Sequence, residues 1–324
     1  MKEAILTVIG TSHMDFIVYV DRFPKIGETV LGSGFITAPG GKGANQAVAA
    51  SRLGATCYFI SKVGNDFIGE SLIENARKNG VRTDYIKKDP RSHSGIALIY
   101  VDAKGEDMIV VAPGVDMLIS EEDIKEAKEA LSSSKVVLTQ LEIPTKTAEF
   151  AINFAKEMGK KTILNPAPAY HLDEKVYCNI DFLTPNKGEL EKLSGMKIDD
   201  DSSLIKAAKS LISKGVGCVI VTLGKRGAMI VTADDHELIP SYDVKVVDTV
   251  GAGDAFNGAL AVAISLDIDI REAVRFANIV ASLKVTKKGA QTGLPSIKEV
   301  MAFAKSHGIY DLLLPYMNEE FVTF

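Results

Sequence analysis

The chain has 324 residues, 46% of them hydrophobic and 24% charged, with a formal net charge of -5 at neutral pH. That composition belongs to a chain that buries a large core, and excludes a disordered or fibrous one. The acidic balance, with basic residues scattered in short pairs, excludes the positive footprint that nucleic acid requires, and no apolar run approaches the roughly 18 residues that cross a bilayer.

In chain order, the run AILTVIG (4–10) reads as a first strand. Glu3 stands where a secretory signal would be basic, so a cytoplasmic protein is expected. Further apolar runs are KVVLTQL (135–141), KKTILNPAP (160–168), NIDFLTPN (179–186) and VGCVIVTLG (216–224). Helical patterns lie between them, as in Thr145 to Met158 and Ser202 to Ser213. Continuously apolar strands separated by helices predict a mostly parallel sheet covered on both faces, a three-layer α/β/α fold. No linker, repeat or low-complexity tract divides the chain, which predicts a single domain over 1–324. The acidic run Asp199 to Asp201 is a solvated loop.

Two segments break the α/β rhythm. Ile26 to Pro39 and Ser94 to Ala112 alternate as strands do, the second with a hairpin at DAKGED. They predict a small β layer or lid, about 12–39 and 94–112, for which a flap over the site and a dimer contact are both open uses. Cys57, Cys178 and Cys218 are odd in number and lack metal-ligand spacing, so buried free thiols in a reducing compartment are expected.

In parallel sheets ligands bind beyond the carboxyl ends of the strands. Polar and glycine residues follow the apolar runs there: Gly10 to Asp15, Glu142, Asn165, Asn186 and Gly224. Each alone is equally an ordinary turn or cap. Together they outline a cleft edge.

The stretch DTVGAGDAFNGAL (248–260) sets three nearly bare residues, Gly251, Ala252 and Gly253, before an acid, Asp254, at the mouth of a helical pattern. A dinucleotide fingerprint fails, because Phe256 stands where its third glycine belongs, and the Gly-Lys-Ser/Thr ending of a Walker A loop is absent. What remains is an anion hole of backbone amides at a helix N-terminus, with Asp254 as an acceptor beside it. Phosphoryl transfer needs both parts. An aspartate that merely stabilises its own helix is the alternative. A second glycine-led helix start, PGGKGANQAVAASRLGA (39–55), carries Lys42 and Asn45, suited to hydroxyls. One element suited to a polyol and one to a phosphate fit a sugar kinase.

These segments, with TQLEIP, NPAPA, TPNKGE, VTLGKRGA, VDTVGAGDAFNGAL and VTKKGAQ, resemble the ribokinase (PfkB) family of carbohydrate kinases, in the family's order and to about Ser306. The resemblance implies ATP-dependent phosphorylation of D-ribose at its primary 5-hydroxyl, with another sugar or a nucleoside as the alternative acceptor. It implies Asp254 as catalytic base, with the amides of Gly251, Ala252 and Gly253 around the γ-phosphate. His13, Asp15, Gly40, Gly41, Lys42, Asn45 and Glu142 would bind the sugar. Asn186 and Glu189 would organise phosphate and Mg2+, and the nucleotide would lie against Thr222, Leu223, Gly224, Lys225, Arg226, Gly227, Gly253 and Asn278. A monovalent cation, K+, would sit among Asp248, Val250, Lys284, Lys287, Gly289 and Gly293, mostly on carbonyl oxygens. A homodimer through the small β layer is also implied.

Three positions depart from the family's pattern. His13 replaces an amide beside Asp15, which leaves deoxyribose, a ketose or a nucleoside open as acceptor; Lys284 and Gly293 replace small and hydroxyl-bearing residues beside the cation. A sugar-binding regulator on a dead kinase fold stands against the joint presence of Asp254, the GAG run, Asn186 and Glu189. A nicotinamide oxidoreductase stands against the glycine pattern. The tail from Gly308 to Phe324 extends beyond the resemblance, and its Leu312 to Leu314 run is open to packing on the body or a partner.

Overall fold

A computed structural model describes residues 3–309. Its strands in the first half are β1 (Ile5–Ile9), β2 (His13–Val20), β3 (Gly32–Gly40), β4 (Thr56–Gly64), β5 (Ile86–Asp89), β6 (Gly95–Val101) and β7 (Asp107–Ala112). In the second half they are β8 (Val136–Gln140), β9 (Lys161–Asn165), β10 (Phe182–Leu183), β11 (Cys218–Thr222), β12 (Ala228–Val231) and β13 (His236–Ile239). Nine strands form the central sheet in the order β13-β12-β11-β10-β9-β8-β1-β4-β5, parallel except at the β11-β12-β13 end. The expected apolar runs are its central strands.

Why these runs are apolar throughout is visible in how they are shared. Side chains alternate across a strand, so in β8 Val136 and Leu138 enter one core while Val137 enters the other. In β11 Ile220 joins the first core, and Val219 and Val221 the second. The Lys42–Arg52, Ala252–Ser265 and Ile270–Lys284 helices cover the first face; the Thr145–Glu157, Lys187–Ser194 and Asp201–Ile212 helices cover the second. Both faces are therefore buried, as a parallel sheet requires.

The separate small sheet has the order β3-β2-β6-β7, with the β6-β7 hairpin where DAKGED placed it. Its partner strand β2 continues the line of β1 after a link of three residues. The alternation read from Ile26 does not become a strand until Gly32. Gly27 takes φ 78 and the Glu28 amide donates to Lys25 O, so residues 25–28 form a turn that leaves Ile26 fully in solvent. Apolar side chains on both faces of this sheet stay exposed, among them Phe35, Leu98, Ile109 and Val110.

Of the cysteines, Cys57 and Cys218 are buried as expected, but Cys178 is exposed, because it lies in the short 3-10 turn Glu174–Asn179 rather than in the strand that follows. The Leu312 to Leu314 run lies outside the described residues.

The two glycine-led helices touch. A Cβ on Gly258 would lie 2.7 Å from Ala49 Cβ and 2.8 Å from Gln46 O, so only a bare residue permits this approach. Gly258→Val is expected to lower stability by about 1–3 kcal/mol, the usual cost of overpacking. Urea unfolding measures it, and an unchanged midpoint would show that the helices are free to part.

Candidate active site

The first half of the site forms where β1 hands the chain to β2. The Lys42–Arg52 helix starts just beyond the end of β3, and its cap Gly41 takes φ 87. A Cβ there would meet Thr11 O at 2.8 Å, so the glycine lets the helix mouth press onto the β1-β2 link. The Ala44 amide donates to Thr11 O at 2.9 Å and closes this contact. Glu142, just past β8, accepts from the Lys42 amide at 3.0 Å and the Thr11 hydroxyl at 2.5 Å, and lies 3.3 Å from Lys42 Nζ. Burial pushes the Glu142 carboxyl up, but the Lys42 ammonium, His13 and these donors hold it below the usual range.

Asp15 pairs in register with Ala38, and its carboxylate fills the space beside Gly40. Burial raises its pKa to about 6, against the opposing pull of His13. His13, buried at the start of β2, lies 3.0 Å from Asp116, which is also buried and accepts from the Ser12 amide at 3.3 Å. Burial pulls the imidazole down, but Asp116, Glu142 and Asp15 outweigh it, so His13 is raised above its ordinary value. Asp116 escaped the sequence reading; its only signal was an acid inside the apolar stretch GVDML.

The second half is the mouth of the Ala252–Ser265 helix, where Asp254 is buried at 7% exposure. Its oxygens accept from Asn45 Nδ2 at 2.8 Å and Gln46 Nε2 at 3.1 Å. Gln46 also donates to Asn165 Oδ1 at 3.1 Å and accepts from Gln140 Nε2 at 2.6 Å. Burial raises the Asp254 carboxyl, with Lys42 and the two amides opposing. Gln46 and Gln140 were missed as well, although Gln46 follows Asn45 within the quoted glycine segment. Of the anion-hole amides, that of Ala252 is spent on Thr249 O at 3.1 Å, whereas those of Gly251, Gly253 and Asp254 meet no acceptor among the described residues. The free donors at the helix start thus include two of the three bare positions, with the Asp254 amide in place of that of Ala252.

Beside this mouth opens a cavity of about 470 Å³. Thr222, Gly224, Lys225, Gly227 and Asn278 line it, together with Ala252 and Gly253 of the helix mouth. Leu223 and Arg226 belong to the same turn but do not line it: Leu223 packs on the second core, and Arg226 pairs with Asp201 at 2.6 Å on the surface. Ser241 to Val244 and Val246 are among the other lining residues and were not singled out from sequence. Asn186 and Glu189 form a reciprocal capping box on the Lys187–Ser194 helix, each side chain accepting from the other's amide at 2.8 Å. Burial raises the Glu189 carboxyl, and both Lys42 and Asp254 act on it across the cleft.

Asp248, Val250, Lys284, Lys287, Gly289 and Gly293 do come together, but not around an empty nest. The Lys284 ammonium donates to Asp248 O at 3.0 Å and Lys287 O at 3.4 Å. Carbonyls expected to face K+ face a side-chain cation instead, so the donor set here does not fit a metal ion.

With this geometry in hand, similarity to known proteins is specific. The pfkB family carbohydrate kinase profile matches residues 4–297. The ribokinase of Bacillus subtilis (strain 168) is 41% identical over 295 residues, 91% of this chain and 97% of that protein. The deoxyribokinase of Salmonella typhi is 40% identical over 295 residues, 91% of this chain and 96% of that one. The solved structure of Arabidopsis thaliana ribokinase complexed with ribose and ATP superposes with a TM-score of 0.86 at 30% identity, covering 94% of this chain and 99% of that one. A buried acid at a helix mouth, between a polar cradle and a cavity, is how this chain carries the common plan: it belongs to the pfkB family of carbohydrate kinases.

Proposed function

We propose that the protein transfers the γ-phosphate of ATP to the primary 5-hydroxyl of D-ribose, giving D-ribose 5-phosphate. The observation that carries this reading is the position of Asp254, which Asn45 ties to the cradle of Asp15, Lys42 and Glu142 while its own helix mouth closes the cavity. Carboxylates and amides that accept from and donate to adjacent hydroxyls suit a polyol. Asp254, raised by burial, takes the proton from the hydroxyl as it attacks, and the free amides of Gly253 and Asp254 receive charge developing on the phosphate. The nucleotide lies in the cavity against Thr222, Gly224, Gly227 and Asn278.

Mg2+ would arrive on the phosphates of ATP, where it neutralises charge. Among the described residues no group of three acids, histidines or cysteines is placed to hold a metal alone. Glu189 fits a partial role, since only one of its oxygens is committed to the Asn186 amide and Mg2+ with phosphates needs one or two carboxylates. The small sheet would cover the cradle as a lid, and its exposed apolar faces would pair two copies. Among the described residues no helix is long and apolar enough to cross a membrane; three unpaired thiols favour the cytoplasm.

Deoxyribose is the second reading, favoured by the imidazole at position 13. His13 Nε2 lies 3.0 Å from Asp116, a carboxylate that competes with a sugar hydroxyl for it, and a 2-hydroxyl not grasped by the site is not demanded by it. A panel of pentoses, hexoses and nucleosides with ATP and Mg2+, scored by ADP release, separates the two acceptors. Sugar that binds without any turnover would instead leave a regulator.

Asp254→Asn is expected to keep fold and sugar affinity and lose roughly 10²-fold to 10⁴-fold in kcat; turnover near the parent rate would place the base elsewhere. Sugar Kd has two expected limbs. It weakens as pH falls through about 6, where Asp15 gains a proton and ceases to be an acceptor on both oxygens. It changes again above the ordinary histidine range, where His13, held charged by Asp116, loses its proton. Asp15→Asn should erase the first limb and His13→Asn the second, as read by calorimetry; profiles that superimpose on the parent's would remove both residues from recognition. Val110→Glu, on the exposed sheet face, should sediment as a monomer if the parent is a dimer; an unchanged dimer would move the contact elsewhere.

A further inference from the structure

We propose that the Lys284 ammonium is a built-in replacement for a diffusible monovalent cation: it fixes the turn that leads into the anion-binding helix mouth, and the protein therefore turns over without potassium. The inference rests on phosphoryl transfer at that mouth, but not on which sugar accepts the phosphate.

Lys284 ends the Ile270–Lys284 helix and is 0% exposed. Lysine is almost never buried so fully without partners, since an ammonium taken from water must find acceptors. Here they are backbone carbonyls of two separate loops, Asp248 O at 3.0 Å and Lys287 O at 3.4 Å, with the Asp248 carboxylate 4.0 Å away. The same carboxylate accepts from the Val250 amide at 2.9 Å and the Gly289 amide at 2.7 Å. Cation and anion together tie residues 248–250 to residues 287–289, immediately before Gly251 and the free amides. Burial pulls the Lys284 ammonium below the ordinary lysine value, while the charges of Asp248 and then Asp254 oppose that and favour the charged form.

The two departures at 284 and 293 are one device. A Cβ on Gly293 would lie 3.1 Å from Lys284 Cε, 2.7 Å from Gly289 O and 3.2 Å from Lys287 O. The bare residue at 293 makes room for the lysine stem. An ammonium that already holds these carbonyls occupies the place from which a second cation would bind them, and its charge repels one that approaches. Because it is tethered, it is present at every salt concentration.

In this role Lys284 is a positioning residue, and the decisive comparison needs no variant. Turnover of the full chain is measured with Mg2+ and ATP in a tetramethylammonium buffer, then with K+, Na+ or Cs+ replacing that ion at constant ionic strength. Rates within about twofold of one another are expected, because the preorganising charge is covalently supplied; severalfold acceleration by K+ would overturn the proposal. Lys284→Ala should lose about tenfold or more in kcat without K+ and recover part of it with K+ or ammonium. A Lys284→Ala protein as fast as the parent without K+ would also overturn it. Thermal melts supply a readout that survives failure of the functional reading: K+ should raise Tm of Lys284→Ala over Na+ and leave the parent unmoved, since only a protein that binds the ion gains stability from it. Selective stabilisation of the parent by K+ would sink the idea even if no sugar were ever found.

Discussion

Everything at the reactive end of this molecule depends on the approach of two helices at a point where one has no side chain. Gly258 lets the Ala252–Ser265 helix lie against Ala49 and Gln46 of the Lys42–Arg52 helix. Only at that separation do Asn45 and Gln46 reach the carboxylate of Asp254. The cradle of Asp15 and Lys42 is drawn from the start of the chain and the Asp254 helix mouth from its last third, and this one packing contact sets their relation. The sheet beneath supplies rigidity, but the register between base and cradle is decided between helices.

Three acids crowd one cleft, and their surroundings separate them. Glu142 faces Lys42 and two donors, so it stays ionised and serves as an anchor for the helix mouth. Asp254 is more deeply enclosed and is raised, the direction that the base proposed above requires. Asp15 is raised to about 6 by burial, against the pull of His13. Like groups placed in unlike environments take unlike roles, and the chain needs no more unusual chemistry than that.

The fold was legible because its signals are local. Five apolar runs became central strands, and the glycine segments became helix mouths, since periodicity and bare backbone act within a few residues. The run at Ile26 misled because its alternation is real but Gly27 turns the chain before a strand can form. Partnerships across the fold were not legible. Gln46, Gln140 and Asn165 look like ordinary polar residues until two strands and a helix bring them together behind Asp254. Asp116 is silent for the same reason. Lys284 was visible as a departure, yet nothing in a sequence states which way a lysine side chain runs or what receives its protons.

The small sheet joins the body through few strands of chain, and one junction is the three-residue link between β1 and β2. There Thr11 binds Glu142 and the Ser12 amide binds Asp116, the partner of His13. A second junction, Gly40 to Gly41, runs directly into Lys42. Thr11, Lys42 and Glu142 of the cradle therefore meet at these junctions, and His13 and Asp15 follow at the start of the blade, in β2. Thermodynamic linkage then makes blade and pocket reciprocal: whatever restrains the small sheet, including a second copy of the chain seated on it, must alter sugar affinity by the same factor by which sugar alters the restraint. Assembly and substrate recognition would in that case be two readings of one equilibrium.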